Sequence, residues 1–367
     1  MPHRHRNILV IRLSSIGDIL LTTPALRALK RWDPHREVHF LLKSEYEELV
    51  RENPNVDRVI PWDPSGGLPG LIGLARRLRG GYDLVIDLHR SLRSAILRRA
   101  IGARQVLTYP KGVIRRTIMI QTGWKAITRK APVPERYLRA LSPIGAKGDE
   151  RGIDLFISRE VRDRVEGIMA DEAAGAGLSA AHRSGTGHSI ERFSYVAIAP
   201  GARWATKRWL PERFAAVADA LAEIHGLVPI LIGGRDEGEV FRAVREGMKS
   251  PALDFSGRLS LIETGAAIAA SRLLISNDTG LMHMATAVST PVVAIFGPTT
   301  RELGFYPYRG PHEVVEQDIS CRPCHHLGGD RCPKGHHRCM TEIGAEAVIG
   351  AGERLLARHL PSIARTG

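Results

Sequence analysis

Three short stretches hold residue types whose spacing suits chemistry on a negatively charged group. The first is Arg12-Leu13-Ser14-Ser15-Ile16-Gly17-Asp18. A glycine in such a loop lets backbone approach a ligand, amides at a helix start offer donors, and Asp18 brings a carboxylate. The same carboxylate would also serve as a first-turn acid complementing a helix dipole. The second is Ser276-Asn277-Asp278-Thr279-Gly280-Leu281-Met282-His283. Thr279 and Gly280 at a helix start present unpaired N–H groups to an anion such as phosphate, with His283 one turn along; the alternative is a capped, buried helix. Phe296-Gly297-Pro298-Thr299 follows the next strand and would close the same pocket. The third, Pro200-Gly201-Ala202-Arg203-Trp204-Ala205-Thr206-Lys207-Arg208, sets three cations close together after a strand. They suit a diphosphate whose charge grows as a leaving group departs, and a solvated basic loop is the alternative. Glu237, in Gly233-Gly234-Arg235-Asp236-Glu237, offers a carboxylate to a ribose or sugar hydroxyl, although Gly-Gly after a strand is also an ordinary turn.

No Asp-x-Asp triplet occurs in the chain, so the carboxylate clamp that holds a divalent cation against a nucleotide diphosphate is missing. Positive charge must then come from Lys207, Arg208 and helix dipoles. Neither a Walker A loop nor G-x-G-x-x-G is present.

The elements that must position these loops read as alternating strand and helix. Asn7–Ile11 is a β-branched apolar run followed by helical spacing at Ile19, Leu20, Ala25, Leu26 and Leu29. Further strands are predicted at Val38–Leu42, Arg58–Ile60 and Leu84–Leu88, with helix-like segments at Ser44–Glu52 and Leu71–Leu78. Such alternation predicts an α/β fold with a parallel, doubly wound sheet. Asp171–Ile190 is rich in Gly, Ala, Ser and His without periodicity and reads as a linker. The pattern then restarts with strands at Tyr195–Ala199, Val228–Ile232, Arg272–Ser276 and Pro291–Phe296, a helix over Phe214–Ile224 and a last helix over Ala345–His359. We therefore expect one domain over residues 1–180 and a second over 181–367, both Rossmann-like and facing each other across a cleft.

Length and charge agree with that division. The chain has 367 residues, enough for about two domains. It carries 52 Lys and Arg against 39 Asp and Glu, a formal charge of +13 that calls for an anionic partner. Aromatics are only 5%, and no basic stretch is interleaved with them, which argues against stacking on single-stranded nucleic acid. Asp278 and His283 interrupt one long apolar stretch, and Arg12 and Asp18 interrupt another, so no transmembrane helix is expected. The basic start Met1–Arg6 is followed by Asp18 and no convincing cleavage site, so no signal peptide is expected and the default compartment is the cytoplasm.

At these residues the chain resembles the heptosyltransferase family of lipopolysaccharide core assembly, glycosyltransferase family 9, over nearly its whole length. The carriers are R-L-S-S-I-G-D-I-L-L-T-T-P-A-L at Arg12–Leu26, T-K-R-W-L-P-E-R-F at Thr206–Phe214, and S-N-D-T-G-L-M-H-M-A at Ser276–Ala285 with F-G-P-T at Phe296–Thr299. The resemblance implies a GT-B-like fold and inverting transfer of a heptose from ADP-L-glycero-D-manno-heptose to an anionic lipid-linked core, Kdo-lipid A or a first heptose. It makes Asp18 the general base and Lys207 the residue that stabilises departing ADP. Thr206, Arg208, Glu237, Asp278, Thr279, Gly280 and His283 are then expected at the donor, and Ser15, Gly17, Arg90 and Arg93 at the acceptor. Arg98 and Arg99 are further basic candidates on the same segment, for which a solvated helix face is the alternative. No cofactor is expected for catalysis and no nucleic acid as partner. The charge suits peripheral attachment to an anionic inner membrane leaflet. A sibling enzyme using another nucleotide sugar or acceptor, and a pseudoenzyme that only binds nucleotide, share these motifs.

All four cysteines fall within one segment, Cys321, Cys324, Cys332 and Cys339, with His325, His326, His336 and His337 among them. The Cys321–Cys324 spacing is the usual first half of a structural zinc site, and zinc held by the four thiols is the leading expectation. The six residues between Cys332 and Cys339 depart from that pattern and leave disulfides or packed free thiols as alternatives. A basic zinc-stabilised nucleic-acid-binding protein is the rival from another class. It explains neither Asp18 nor Lys207.

Overall fold

The computed structural model describes residues 7–124, 131–178 and 194–359. The chain forms two compact units: residues 1–117, 126–156 and 302–309 make unit 1, and residues 118–125, 157–301 and 310–367 make unit 2. The sequence reading draws a single boundary at 180/181. The chain instead passes into unit 2 at residue 157, because the helix after it is tied there by Arg164–Glu263 and Arg258–Glu172 ion pairs. Residues 302–309 return to unit 1, where the Gly304 carbonyl accepts from the Val133 amide.

Unit 1 runs β1 (Asn7–Ile11), α1 (Ile16–Leu20), α2 (Thr23–Trp32), β2 (Glu37–Lys43), β3 (Arg58–Trp62), α3 (Gly67–Arg77), β4 (Leu84–Asp87), α4 (Leu92–Ile101), β5 (Gln105–Thr108), the start of α5 (Val113–Thr122) and α6 (Val133–Ala140). Its sheet is parallel with order β3-β2-β1-β4-β5. β1 is central, so its apolar run is buried on both faces from Ile8 to Ile11 and packs with Leu41, Val85, Leu97 and Ile101. α4 starts at a capping box between Ser91 and Ser94 and stops at Gly102, whose φ of +68° lies in the left-handed region that glycine enters most easily. The expected helix over Ser44–Glu52 is a tight 3-10 segment over Ser44–Leu49. β5 gave no apolar run because it is an edge strand with three of four residues exposed.

Unit 2 runs α7 (Arg159–Gly175), β6 (Tyr195–Ala199), α8 (Pro211–His225), β7 (Val228–Leu231), α9 (Gly238–Gly247), β8 (Leu253–Asp254), α10 (Leu261–Ala269), β9 (Ser271–Asn277), α11 (Gly280–Ala287), β10 (Val292–Phe296), β11 (His312–Glu316), α12 (Arg338–Thr341) and α13 (Ala345–His359). The sheet is parallel with order β11-β10-β9-β6-β7-β8. β6, β9 and β10 are buried almost throughout, and α8 and α13 cover them, with Phe214, Leu221, Val348, Ala351 and Leu355 in one core. The final helix therefore belongs to unit 2. The first part of the expected linker, Asp171–Gly175, is the end of α7, whereas residues 179–190 lie outside the described residues. Among the described residues no helix is long and apolar enough to cross a membrane.

Candidate active site

In unit 1 the loop after β1 extends the sheet before turning into α1. The Arg12 amide bonds the Leu41 carbonyl, and the Lys43 amide bonds that of Leu13. Arg12 is buried, donates from Nη1 to the Leu88 carbonyl at 2.6 Å, and holds Asp18 Oδ1 from Nη2 at 2.6 Å. Ser15 Oγ approaches the other carboxylate oxygen at 3.4 Å. Ser15 is exposed, and Gly17 is buried in α1. Asp18 thus faces Arg12 from the first turn of α1 and caps no amide of that helix. Burial is the largest single influence on Arg12 and opposes its charge, but Asp18 together with Tyr137 and Tyr109 outweighs it and keeps the guanidinium firmly protonated.

The strand beside β1 supplies the neighbourhood. Asp87, fully buried at the end of β4, accepts from the His89 and Arg90 amides and from Ser94 Oγ, and pairs with Arg98 at 3.1 Å. Arg98 is therefore consumed in holding the β4–α4 turn. His89 Nδ1 is buried without a hydrogen-bond partner, and burial first, then the Arg12 charge, pushes this imidazole down to about 4. Of the arginines expected at the acceptor, Arg90 lines a cavity of about 610 Å³ with Lys111, Arg116, Arg136 and Arg139. Arg93 is not among its lining residues and lies over the Trp62 ring at 5.7 Å. Arg99 is exposed on α4. The cavity escaped the sequence reading because its cations come from three separate segments.

In unit 2 the expected donor residues gather at the carboxyl ends of β6, β7, β9 and β10. Lys207 closes a 3-10 turn over Ala205–Lys207, and its ammonium meets Asp278 Oδ2 at 2.6 Å and the Asp278 carbonyl at 3.3 Å. Thr299 Oγ1 donates to the same carboxylate oxygen at 2.6 Å. A lysine ammonium has three N–H groups, so one remains to meet a ligand once two are spent on Asp278. Thr279 is the N-cap of α11 without a side-chain bond to the helix, Gly280 opens the helix and His283 is buried within it. Arg208 Nε donates to the Ala202 carbonyl at 2.8 Å. Glu237 accepts from the Gly234 amide at 2.9 Å, and its carboxyl is raised by burial against Gly201 and Gly233 despite that bond and the Arg208 charge.

Two buried residues that no sequence argument singled out stitch these loops. Asn277 donates to the Pro200 carbonyl at 2.8 Å and accepts from the Trp209 amide at 3.2 Å. Arg322 bonds the Gly297 and Thr299 carbonyls and pairs with Glu316. The signal for Arg322 is its place inside the cysteine segment, which lies against the donor loop: Thr206 is held by the Gly329 carbonyl at 2.9 Å, and His337 Nε2 meets the Thr206 carbonyl at 2.9 Å. The zinc expected at Cys321, Cys324, Cys332 and Cys339 is not supported. All four are free thiols, Cys321 Sγ faces His336 Nε2 at 3.8 Å, and Cys339 is buried, which pushes its thiol up to about 11. Among the described residues no group of three or more His, Cys, Asp or Glu side chains could hold a metal ion.

Residues 71–330 match the model of glycosyltransferase family 9 (heptosyltransferase). Lipopolysaccharide heptosyltransferase 3 of Escherichia coli K12 is 28% identical over 95% of this chain and 98% of its own length. Lipopolysaccharide heptosyltransferase 1 of Pseudomonas aeruginosa is 27% identical, over 86% of this chain and 85% of its own. Among solved structures, a glycosyl transferase family 9 protein from Veillonella parvula superposes with a TM-score of 0.77, covering 98% of this chain and 99% of its own at 24% identity. That likeness identifies the fold as GT-B, with two Rossmann-like domains.

Proposed function

The chain belongs to glycosyltransferase family 9, the heptosyltransferases, and from that premise we propose that it moves a heptose from ADP-heptose to the anionic, lipid-linked inner core of lipopolysaccharide. It is a transferase of lipopolysaccharide heptose addition. The donor's identity, the acceptor, Kdo-lipid A or a first heptose, and the roles below are our reading. A sugar hydroxyl is a weak nucleophile, so a carboxylate must take its proton as the bond to the anomeric carbon forms, an effect worth roughly 10²–10⁴-fold. Asp18 fills that role. Arg12 fixes its orientation, and attack from the face opposite the nucleotide inverts the anomeric centre. Lys207, oriented by Asp278, and Arg208 meet the charge that develops on the departing diphosphate, together with the α11 amides at Thr279 and Gly280. Catalysis on this reading needs no metal. The protein works in the cytoplasm at the anionic face of the inner membrane, which a surplus of surface cations favours.

The observation that carries this reading is the Arg12–Asp18 pair at the carboxyl end of β1. Asp18→Asn keeps the shape and removes the base. Transfer should fall at least about 10²-fold while stabilisation of the fold by ADP is kept. Retention of most activity would remove Asp18 as base. Side-by-side stabilisation by ADP, UDP and GDP, with Lys207→Ala as control, tests the nucleotide; a preference for UDP or GDP would keep the chemistry and reject ADP-heptose.

A further inference from the structure

The cysteine segment of unit 2 takes no part in the transfer chemistry, yet it holds the loop that carries Lys207. The Gly329 carbonyl accepts from the Thr206 amide at 3.0 Å and from the Thr206 hydroxyl at 2.9 Å, and the Gly329 amide donates back to that hydroxyl at 2.8 Å. His337 Nε2 meets the Thr206 carbonyl at 2.9 Å. Thr206 is therefore clasped at two points of the segment, one on each side of Cys332. Gly328 is pressed against Trp204, since a Cβ there would come within 2.8 Å of that side chain. Cys324 is tied to the loop after β10, its amide donating to the Pro298 carbonyl at 3.2 Å.

The four thiols do not share one environment. Cys339 is buried and packs in the core of unit 2. Cys321 is turned to His336: the Arg338 amide donates to His336 Nδ1 at 3.1 Å, which leaves the proton on Nε2, 3.8 Å from Cys321 Sγ. Cys324 and Cys332 are half-buried, so solvent reaches both. Burial is the largest single influence on the Cys332 thiol and raises it, but the backbone amides of His337, Lys334, Gly335 and His336 face its sulfur and together bring it below its ordinary range. Four amides around one sulfur make a nest that favours the thiolate, the reactive form. Burial, then the Cys321 and Cys332 thiols beside it, push the Cys324 thiol up and keep it protonated. An activated, accessible thiol next to a second thiol is the arrangement in which oxidation ends in a disulfide.

We propose that Cys332 and Cys324 are the attacking and resolving thiols of a reversible disulfide that releases the donor loop, with hydrogen peroxide as the oxidant. The Cys332 thiolate attacks one peroxide oxygen, the O–O bond breaks and hydroxide leaves, which makes Cys332 a sulfenic acid. Cys324 then gives its proton to the sulfenic oxygen and attacks the Cys332 sulfur, the S–O bond breaks and water leaves. Two thiols are oxidised and one peroxide is reduced to two waters. The new bond closes a ring from Cys324 to Cys332 that contains Gly328 and Gly329, the residues that hold Trp204 and Thr206. Drawing that ring tight pulls the Gly329 carbonyl from Thr206 and loosens Lys207, the next residue. The effect on turnover rests on the transferase reading above, whereas the disulfide and the loosening of Thr206 do not.

The test uses the full chain, reduced, then treated with hydrogen peroxide, and then reduced again with dithiothreitol. Peptide mapping should find a Cys324–Cys332 link in the oxidised sample; a link between other cysteines, or oxidation without a link, overturns the assignment. Hydrogen exchange in the peptide holding Thr206 should speed up on oxidation, and the ADP-heptose KM should rise about 10-fold, the loss of one hydrogen bond to the loop. Dithiothreitol should reverse both changes. Cys332→Ser and Cys324→Ser should each match the reduced natural protein before and after peroxide, and an equal peroxide response in either variant traces the effect to other side chains and overturns the proposal. A link that forms while exchange and KM stay unchanged overturns the control of the donor loop. If the reduced protein transfers no heptose, the transferase reading fails, and the peptide map with Thr206 exchange decides the switch alone: a link with faster exchange keeps it, and the absence of either removes it.

Discussion

Asp18 and His89 show how much a side chain's surroundings decide what it does. Asp18 stood in the sequence as either a helix acid or a ligand-facing base, and the 2.6 Å contact with Arg12 takes it away from the helix amides. Arg12 was visible as a letter of the same motif, but its partner was not, because only the sheet brings Leu88 and Asp18 to the same guanidinium. His89 carried no sequence signal at all. It is held neutral by burial and by the Arg12 charge, at about 4 against an ordinary 6.5. A histidine whose value is lowered on folding binds fewer protons in the native state than in the unfolded chain between those limits, so stability rises with pH through that window and levels off above it. Going from pH 7 to pH 5 should cost about 1–2 kcal/mol of unfolding free energy from this group, and His89→Asn should lose that part of the dependence. Denaturant titrations at the two pH values measure it, and an unchanged slope in the variant would assign the pH dependence to other groups.

At the scale of elements, apolar runs reported the central strands and missed the edges. β1 and β6 could be read directly because both of their faces are buried, and α13 was bounded correctly because its stripe lies on one core. β5, β8 and β11 have few or half-exposed residues, and the Gly- and Ala-rich end of α7 looks like a linker without its partner helix. The glycines after β6 and β7 were legible as turns, yet their reason is packing. A Cβ on Gly233 would come within 2.5 Å of the Phe241 ring, which is buried in the core. A Cβ on Gly201 would meet the carboxylate of Glu237, the movable tip of its side chain. The two substitutions should therefore separate. Gly233→Ala should cost about 1–3 kcal/mol of stability as an overpacked core position. Gly201→Ala should leave more of the stability and weaken stabilisation by ADP, because Glu237 must give up the Gly234 amide and its place beside the donor loop. Thermal unfolding of both variants with and without ADP makes the comparison; equal stability losses with equal ADP responses would reject it.

For the molecule as a whole, the charge of +13 pointed to an anionic partner without saying where that partner binds. The division into units supplies the place: unit 1 carries nearly all of the surplus, and unit 2, with 24 cations against 23 anions, is close to neutral although it holds Lys207 and Arg208. This partition was not legible along the chain, since residues 302–309 belong to unit 1 and its boundary follows packing and not composition. A partner recognised by the field of a whole unit is screened by salt far more than a ligand held by a few partly buried contacts such as Lys207 with Asp278. Raising ionic strength from about 0.05 M to about 0.5 M should therefore increase the acceptor KM several-fold more than the ADP-heptose KM. The Lys111→Ala, Arg116→Ala variant should show a shallower dependence for the acceptor alone. Steady-state kinetics across a salt series decide this: if both substrates weaken in parallel, the asymmetry of charge between the units has no part in acceptor recognition, and if only the donor weakens, the anionic partner belongs to unit 2.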